Sequence, residues 1–94
     1  MAIFTTRVEL HGADEDDYET LHAEMKARRF TQTISASGKT YQLPTAEYNY
    51  RGNVTKHDVL NKAKAAASKT NRTYSILVTQ SNGRTWTGLR EVGG

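Results

Sequence analysis

Cysteine is absent from the 94 residues, which excludes disulfide staples and thiolate metal sites and suits a reducing compartment. Proline occurs once, at Pro44, so chain reversals must come from glycine and polar turns. No apolar run approaches the ~20 residues needed to cross a bilayer. The opening Met1–Arg7 has neither a basic start nor a long apolar stretch, so no signal peptide is expected. Gly38, Gly52 and Gly83 each stand alone in polar turns, so no glycine-rich phosphate loop is present. His11, His22 and His57 fall in no metal-ligand spacing. These absences predict a soluble cytoplasmic protein with no membrane partner, metal or cofactor. The length fits one domain spanning 1–94.

What is present is an order of periodicities, β-α-β-β-α-β. Phe4, Thr6, Val8 and Leu10 alternate with polar residues as a half-buried strand. Asp14 is a natural N-cap, Glu15, Asp16 and Asp17 load the first helical turn, and Tyr18, Leu21 and Met25 form a helical stripe. A second strand follows through Phe30, Gln32, Ile34 and Ala36, then a turn at Ser37-Gly38-Lys39. In the third strand the apolar phase slips: Tyr41 and Leu43 share one parity, Ala46, Tyr48 and Tyr50 the other. Pro44 sits at the slip and predicts a bulge or bend there. Thr55 and Asp58 have capping-box spacing ahead of a second helix through Val59, Leu60, Ala63, Ala66 and Ala67. Tyr74, Ile76 and Val78, with Leu77 between them, read as a well-buried strand, and Asn82-Gly83 as a hairpin turn to a short extra strand around Trp86.

This order predicts an α+β, ferredoxin-like βαββαβ two-layer sandwich, with antiparallel sheet order 4-1-3-2, two helices on one face and an extra C-terminal strand. The expected core is Phe4, Val8, Leu21, Met25, Ile34, Val59, Leu60, Ala63, Ile76 and Val78.

Charge is uneven. Seven acids and no base lie between Val8 and Met25, whereas twelve of the thirteen Lys and Arg begin at Lys26. Acids at a helix start and bases at its end complement the macrodipole, yet the same bases could neutralise a polyanion. Arg28, Arg29, Lys62, Lys64 and Lys69 are the candidate nucleic-acid contacts. Tyr41, Tyr48 and Tyr50, interleaved with Lys39 and Arg51, could stack unpaired bases if they lay on an open sheet face. His22, at the edge of the first helix's stripe, is the candidate acid–base group.

Three segments carry a resemblance: Arg7-Val8-Glu9-Leu10-His11-Gly12, Tyr41-Gln42-Leu43-Pro44-Thr45-Ala46-Glu47-Tyr48, and Lys62-Ala63-Lys64-Ala65-Ala66-Ala67-Ser68-Lys69. Together they resemble a family of small bacterial proteins, a domain of unknown function grouped with the GhoS-type antitoxin of type V toxin–antitoxin systems. The resemblance implies a ferredoxin-like fold similar to that of small CRISPR-associated nucleases. It also implies cleavage of the messenger RNA of a small membrane toxin. The family's first helix carries arginine near the place of His22, where histidine offers proton transfer instead. The acid that the family places at the end of the first strand has no counterpart here. The leading expectation is an antitoxin-like, metal-independent endoribonuclease. A non-catalytic RNA- or protein-binding module, or a small homodimeric adaptor, are the alternatives.

Overall fold

The structure, a computed structural model, describes residues 1–93. Seven elements follow in the order β1 (Ala2–Leu10), α1 (Glu15–Ala27), β2 (Thr33–Ala36), β3 (Lys39–Gln42), β4 (Glu47–Gly52), α2 (Lys56–Ser68) and β5 (Tyr74–Gln80). They form a compact α+β fold whose sheets are antiparallel.

The expected four-stranded sheet is divided. One sheet has the order β4-β1-β5, and β2 pairs with β3 as a separate hairpin. The division falls at the phase slip around Pro44. Glu47 N donates to Pro44 O at 3.0 Å, and Ala46 takes φ +65, so the third strand turns there and emerges as β4 with new partners. Among the described residues the stretch expected as the second strand reaches the larger sheet through one bridge, just ahead of β2, in which Thr31 and Asn49 exchange backbone bonds of 2.9 and 2.7 Å. Ser37 and Gly38, at φ +52 and +76, close the β2–β3 hairpin with the two positive-φ residues that suit strand twist.

Both helices cover one face of the larger sheet. Period-two alternation sends Phe4, Thr6, Val8 and Leu10 to that side, where they meet Tyr48 and Tyr50 of β4, Leu21 and Met25 of α1, and Val59, Ala63, Ala66 and Ala67 of α2. The small α2 face lets that helix approach closely, and Phe30 closes the core beside both tyrosines. Each helix begins with a completed capping box, Asp14 with Asp17 and Thr55 with Asp58.

Two expectations need correction. Leu60, Ile76 and Val78 are only half-buried, and Leu77 is 65% exposed: β5 lies at the sheet edge, where the order 4-1-3-2 also puts it, and its apolar run does not make it a well-buried strand. No extra strand forms around Trp86 among the described residues. The segment after Ser81 runs irregularly across the sheet face opposite the helices and then lies beside β3, where Gln42 N donates to Arg90 O and Val92 N to Thr40 O, both at 2.8 Å. Ile34 is buried as expected but outside the main core, in the smaller layer facing this segment.

Candidate functional site

The capping box fixes the start of α1. Asp17 also accepts from Arg72 Nε at 2.8 Å, tying the end of α2 to the start of α1. Of the acids after β1, Asp14 and Asp17 are therefore engaged, in the helix cap and in one ion pair to the loop after α2. One turn further on, His22 faces β4, and its Nδ1 lies 2.6 Å from Tyr48 Oη. Tyr48 is 0% exposed, and His22 is the hydroxyl's only hydrogen-bond partner among the described residues. Burial pushes the phenol's pKa well above its ordinary value, so the hydroxyl keeps its proton and donates it to Nδ1. Accepting there leaves the hydrogen of the neutral imidazole on Nε2. The geometry thus presents His22 as an N–H donor; a base at Nε2 would require the other tautomer and leave the buried phenol without an acceptor.

His22 opens onto a groove of about 240 Å³ whose other walls include Lys26, Phe30, Thr31, Thr33 and Gln42. Lys26 follows His22 by four residues and so lies on the same helix face. Gln42 is held by its side-chain amide, which donates to Gln32 O at 3.0 Å. No carboxylate among the described residues lines this groove. Thr31 Oγ1 already donates to Thr33 O at 3.2 Å and Gln42 Nε2 to Gln32 O and Leu43 O, so Lys26 and His22 are the chief groups this groove offers a phosphate or another anion.

The other sequence candidates fall in different places. Arg28 Nη1 is already engaged, donating to Glu24 Oε1 at 2.7 Å and to Glu24 O at 3.0 Å. Arg29 is exposed and takes φ +72 at the end of α1, where Arg29 N bonds Lys26 O and Phe30 N bonds Met25 O in a Schellman arrangement. Glycine is the usual occupant of that position. Lys62, Lys64 and Lys69 lie on α2 and do not line the His22 groove. The Arg72–Asp17 bond puts Lys69 at the opposite end of the helix layer from Arg28 and Arg29, about 20 Å away along a thirteen-residue helix. Tyr48 and Tyr50 are buried in the core, which overturns their reading as open stacking platforms. Tyr41 is half-buried against Trp86. Among the described residues no group of three or more His, Asp or Glu is placed to hold a metal ion.

Lys26, Gln42 and the His22–Tyr48 pair were not visible as a site in the sequence. Tyr48's parity alone marked it as sharing a face with Tyr50, and nothing local indicated that α1 would set His22 over it.

Two measurements probe this site. Burial lowers the His22 pKa, opposed in part by Glu19. The unfolded chain titrates near 6.5, so the unfolded state binds the proton first as pH falls. This contribution to stability is complete above that value and is lost on acidification toward the depressed folded pKa. Denaturant melts between about pH 7.5 and pH 5.5 should therefore show a loss of stability that His22→Gln reduces. Asp17 and Asp58, with carboxyl pKa values held down first by backbone N–H groups, act only at lower pH, around and below 3.8. Separately, Arg29→Gly should stabilise the fold by about 1 kcal/mol in the same melts, by relieving a left-handed conformation in a side chain bearing Cβ. An unchanged or lower stability would mean that the arginine side chain itself anchors the helix end.

Comparison with protein-family models, with curated proteins and with solved structures returned no match to this chain.

Proposed function

We propose that this protein is an RNA-directed, antitoxin-like binding module that holds a phosphate in the groove beside α1. The observation that carries the reading is the 2.6 Å contact between Tyr48 and His22 at the wall of a groove that contains Lys26 and, among the described residues, no carboxylate. Phosphate contacts supply most of the affinity in such complexes, and Arg29 extends the positive surface past the end of the helix. The donor role of His22 favours holding RNA over cutting it. Endoribonuclease activity is retained as a second reading because a protonated His22 could still give up a proton to a leaving oxygen. In this reading the fold is a ferredoxin-like variant: the neighbours β5-β1-β4 reproduce the first three positions of the order 4-1-3-2, and the Thr31–Asn49 bridge stands where the last strand would join. The setting is the cytoplasm, which a chain without cysteine suits; no helix among the described residues is long and apolar enough to cross a membrane.

The test is incubation of purified protein with a diverse RNA pool at low salt, with and without chelator. The expected result is salt-sensitive binding, unaffected by chelator; absence of binding at low salt overturns the proposal.

A homodimer belongs to the same proposal, with β5 as its seam. His11 N bonds Thr73 O and Ser81 N bonds Ile3 O, so odd-numbered residues of β5 face β1. The backbone groups of Tyr74, Ile76, Val78 and Gln80 consequently face outward on a strand without charge, proline or bulge to protect it. Antiparallel pairing centred on Leu77 would cover that leucine and complete the burial of Ile76 and Val78. Sedimentation should report a dimer that Leu77→Lys converts to monomer, and the Ile76 and Val78 amides should be protected from exchange only in the dimer. A dimer in which those amides exchange freely would place the seam elsewhere.

A further inference from the structure

We propose that the cleft beneath the C-terminal segment binds a nucleoside monophosphate, with its phosphate on Arg84 and its base against Trp86. The cleft lies on the sheet face opposite the helices, is separate from the His22 groove, and does not depend on that groove's function. Its volume of about 570 Å³ falls within the range for small-ligand sites. Its wall combines apolar Ile34, Leu43, Trp86 and Leu89 with threonine hydroxyls, one cation, Arg84, and one carboxylate, Glu47.

Arg84 is positioned but left without a counter-ion. One of its nitrogens, Nη1, donates to Asn49 Oδ1 at 2.9 Å and to Thr5 Oγ1 at 3.2 Å. Both acceptors are neutral. Among the described residues no carboxylate lies within ion-pair distance of the guanidinium, and its remaining N–H groups have no protein acceptor. Glu47 lines the same cleft without pairing to it. Burial disfavours the charged form, and no neighbouring charge offsets it. A side chain that served only as a tether would be equally well held by amide or hydroxyl chemistry; a half-buried guanidinium with a free donor edge is complementary to a dianion.

The second component is aromatic. Trp86, two residues on and half-buried, is held edge-on by Tyr41 with ring centroids 5.6 Å apart at 60°. Gly83 at φ +127 and Gly88 at φ +77 bracket Arg84–Thr87, giving this stretch the sharp turns that bring guanidinium and indole to one cleft. An indole wall beside a phosphate-binding cation is the pairing by which unpaired nucleotides are held, the base by stacking and the phosphate by charge. An aliphatic acid would use Arg84 and leave the indole unused.

Trp86 is the only tryptophan in the chain, so its fluorescence reports occupancy directly. Titrations would use AMP, adenosine and a five-nucleotide oligoadenylate, with the Trp86 indole resonance in NMR as a second readout. AMP should bind saturably, adenosine about tenfold or more weakly, and Arg84→Gln should lose AMP by a similar factor with its circular dichroism unchanged. Because Arg84 also pins the segment, Arg84→Lys serves as the second variant: it keeps the charge and should bind AMP between the two. Tighter binding of the oligonucleotide than of AMP identifies the ligand as a nucleotide within RNA; equal or weaker binding identifies a free nucleotide. Equal affinity for AMP and adenosine, wild-type AMP affinity in Arg84→Gln, or no response at either probe in millimolar AMP overturns the site. A protein that ignores the RNA pool yet binds AMP through Arg84 would refute the groove beside α1 and leave this cleft standing.

Discussion

Leu21→Ala is expected to cost about 2–5 kcal/mol in denaturant melts. Leu21 is 0% exposed and projects from the middle of α1 into the main core, in a cluster with Phe4, Val8, Met25, Tyr48 and Val59. Removing three carbons there forfeits their transfer free energy and leaves a cavity. Its walls come from β1, α1, β4 and α2, so no one element can shift to fill it without unpacking another. For a domain of this size the loss corresponds to a fall in Tm of roughly 10 °C or more. Leu60→Ala is the internal comparison. Leu60 is half-buried at the β5 edge, so its truncation should cost clearly less. A Leu21→Ala loss below about 0.5 kcal/mol, the range of surface changes, would mean that α1 presents a different face to the sheet.

The contrast between those two leucines marks what the sequence can and cannot express. Local periodicity placed Phe4, Val8, Leu21, Met25, Val59 and Ala63 correctly, because burial on one face of a strand or helix repeats at a spacing that short windows record. The caps were equally legible, since Asp14–Asp17 and Thr55–Asp58 are contacts between residues three apart. Leu60, Ile76, Leu77 and Val78 have the same apolar character, and the order 4-1-3-2 already puts the strand of the last three at the sheet's edge; the apolar run does not show that this edge leaves them half-buried or exposed. The slip at Pro44 was visible, but its consequence, the division of one expected strand between two sheets, was not: the slip says that the pairing changes and not what it changes to. The candidate site belongs to the non-local kind. His22 and Tyr48 are separated by twenty-six positions, and their meeting depends on how α1 crosses β4. Arg84 reaches Thr5 and Asn49 across still longer intervals and gave no sequence signal.

The largest functional effects should come from Tyr48→Phe and Lys26→Gln, and they should differ in kind. Lys26→Gln removes a charge from the groove. RNA binding should weaken most at low salt, and the slope of log affinity against log salt should become shallower by roughly 0.7–1. Tyr48→Phe removes one oxygen and no charge, so the salt slope should stay at the wild-type value. Its effect acts through His22. Without the phenolic hydrogen on Nδ1, the ring is no longer held with its hydrogen on Nε2, and affinity should fall several-fold through the lost donor. His22→Gln, which offers an amide N–H in nearly the same place, should lose less than His22→Ala. Among the arginines, Arg29→Gln should weaken binding more than Arg28→Gln, because Arg28 is already committed to Glu24. If the pool is also cut, cleavage should be favoured by acid, following protonation of His22, and His22→Ala should abolish it while leaving part of the binding. Equal salt slopes for Lys26→Gln and wild type would remove Lys26 from the phosphate site. Unchanged affinity in Tyr48→Phe would remove His22, and the 2.6 Å contact would then be a packing bond of the core.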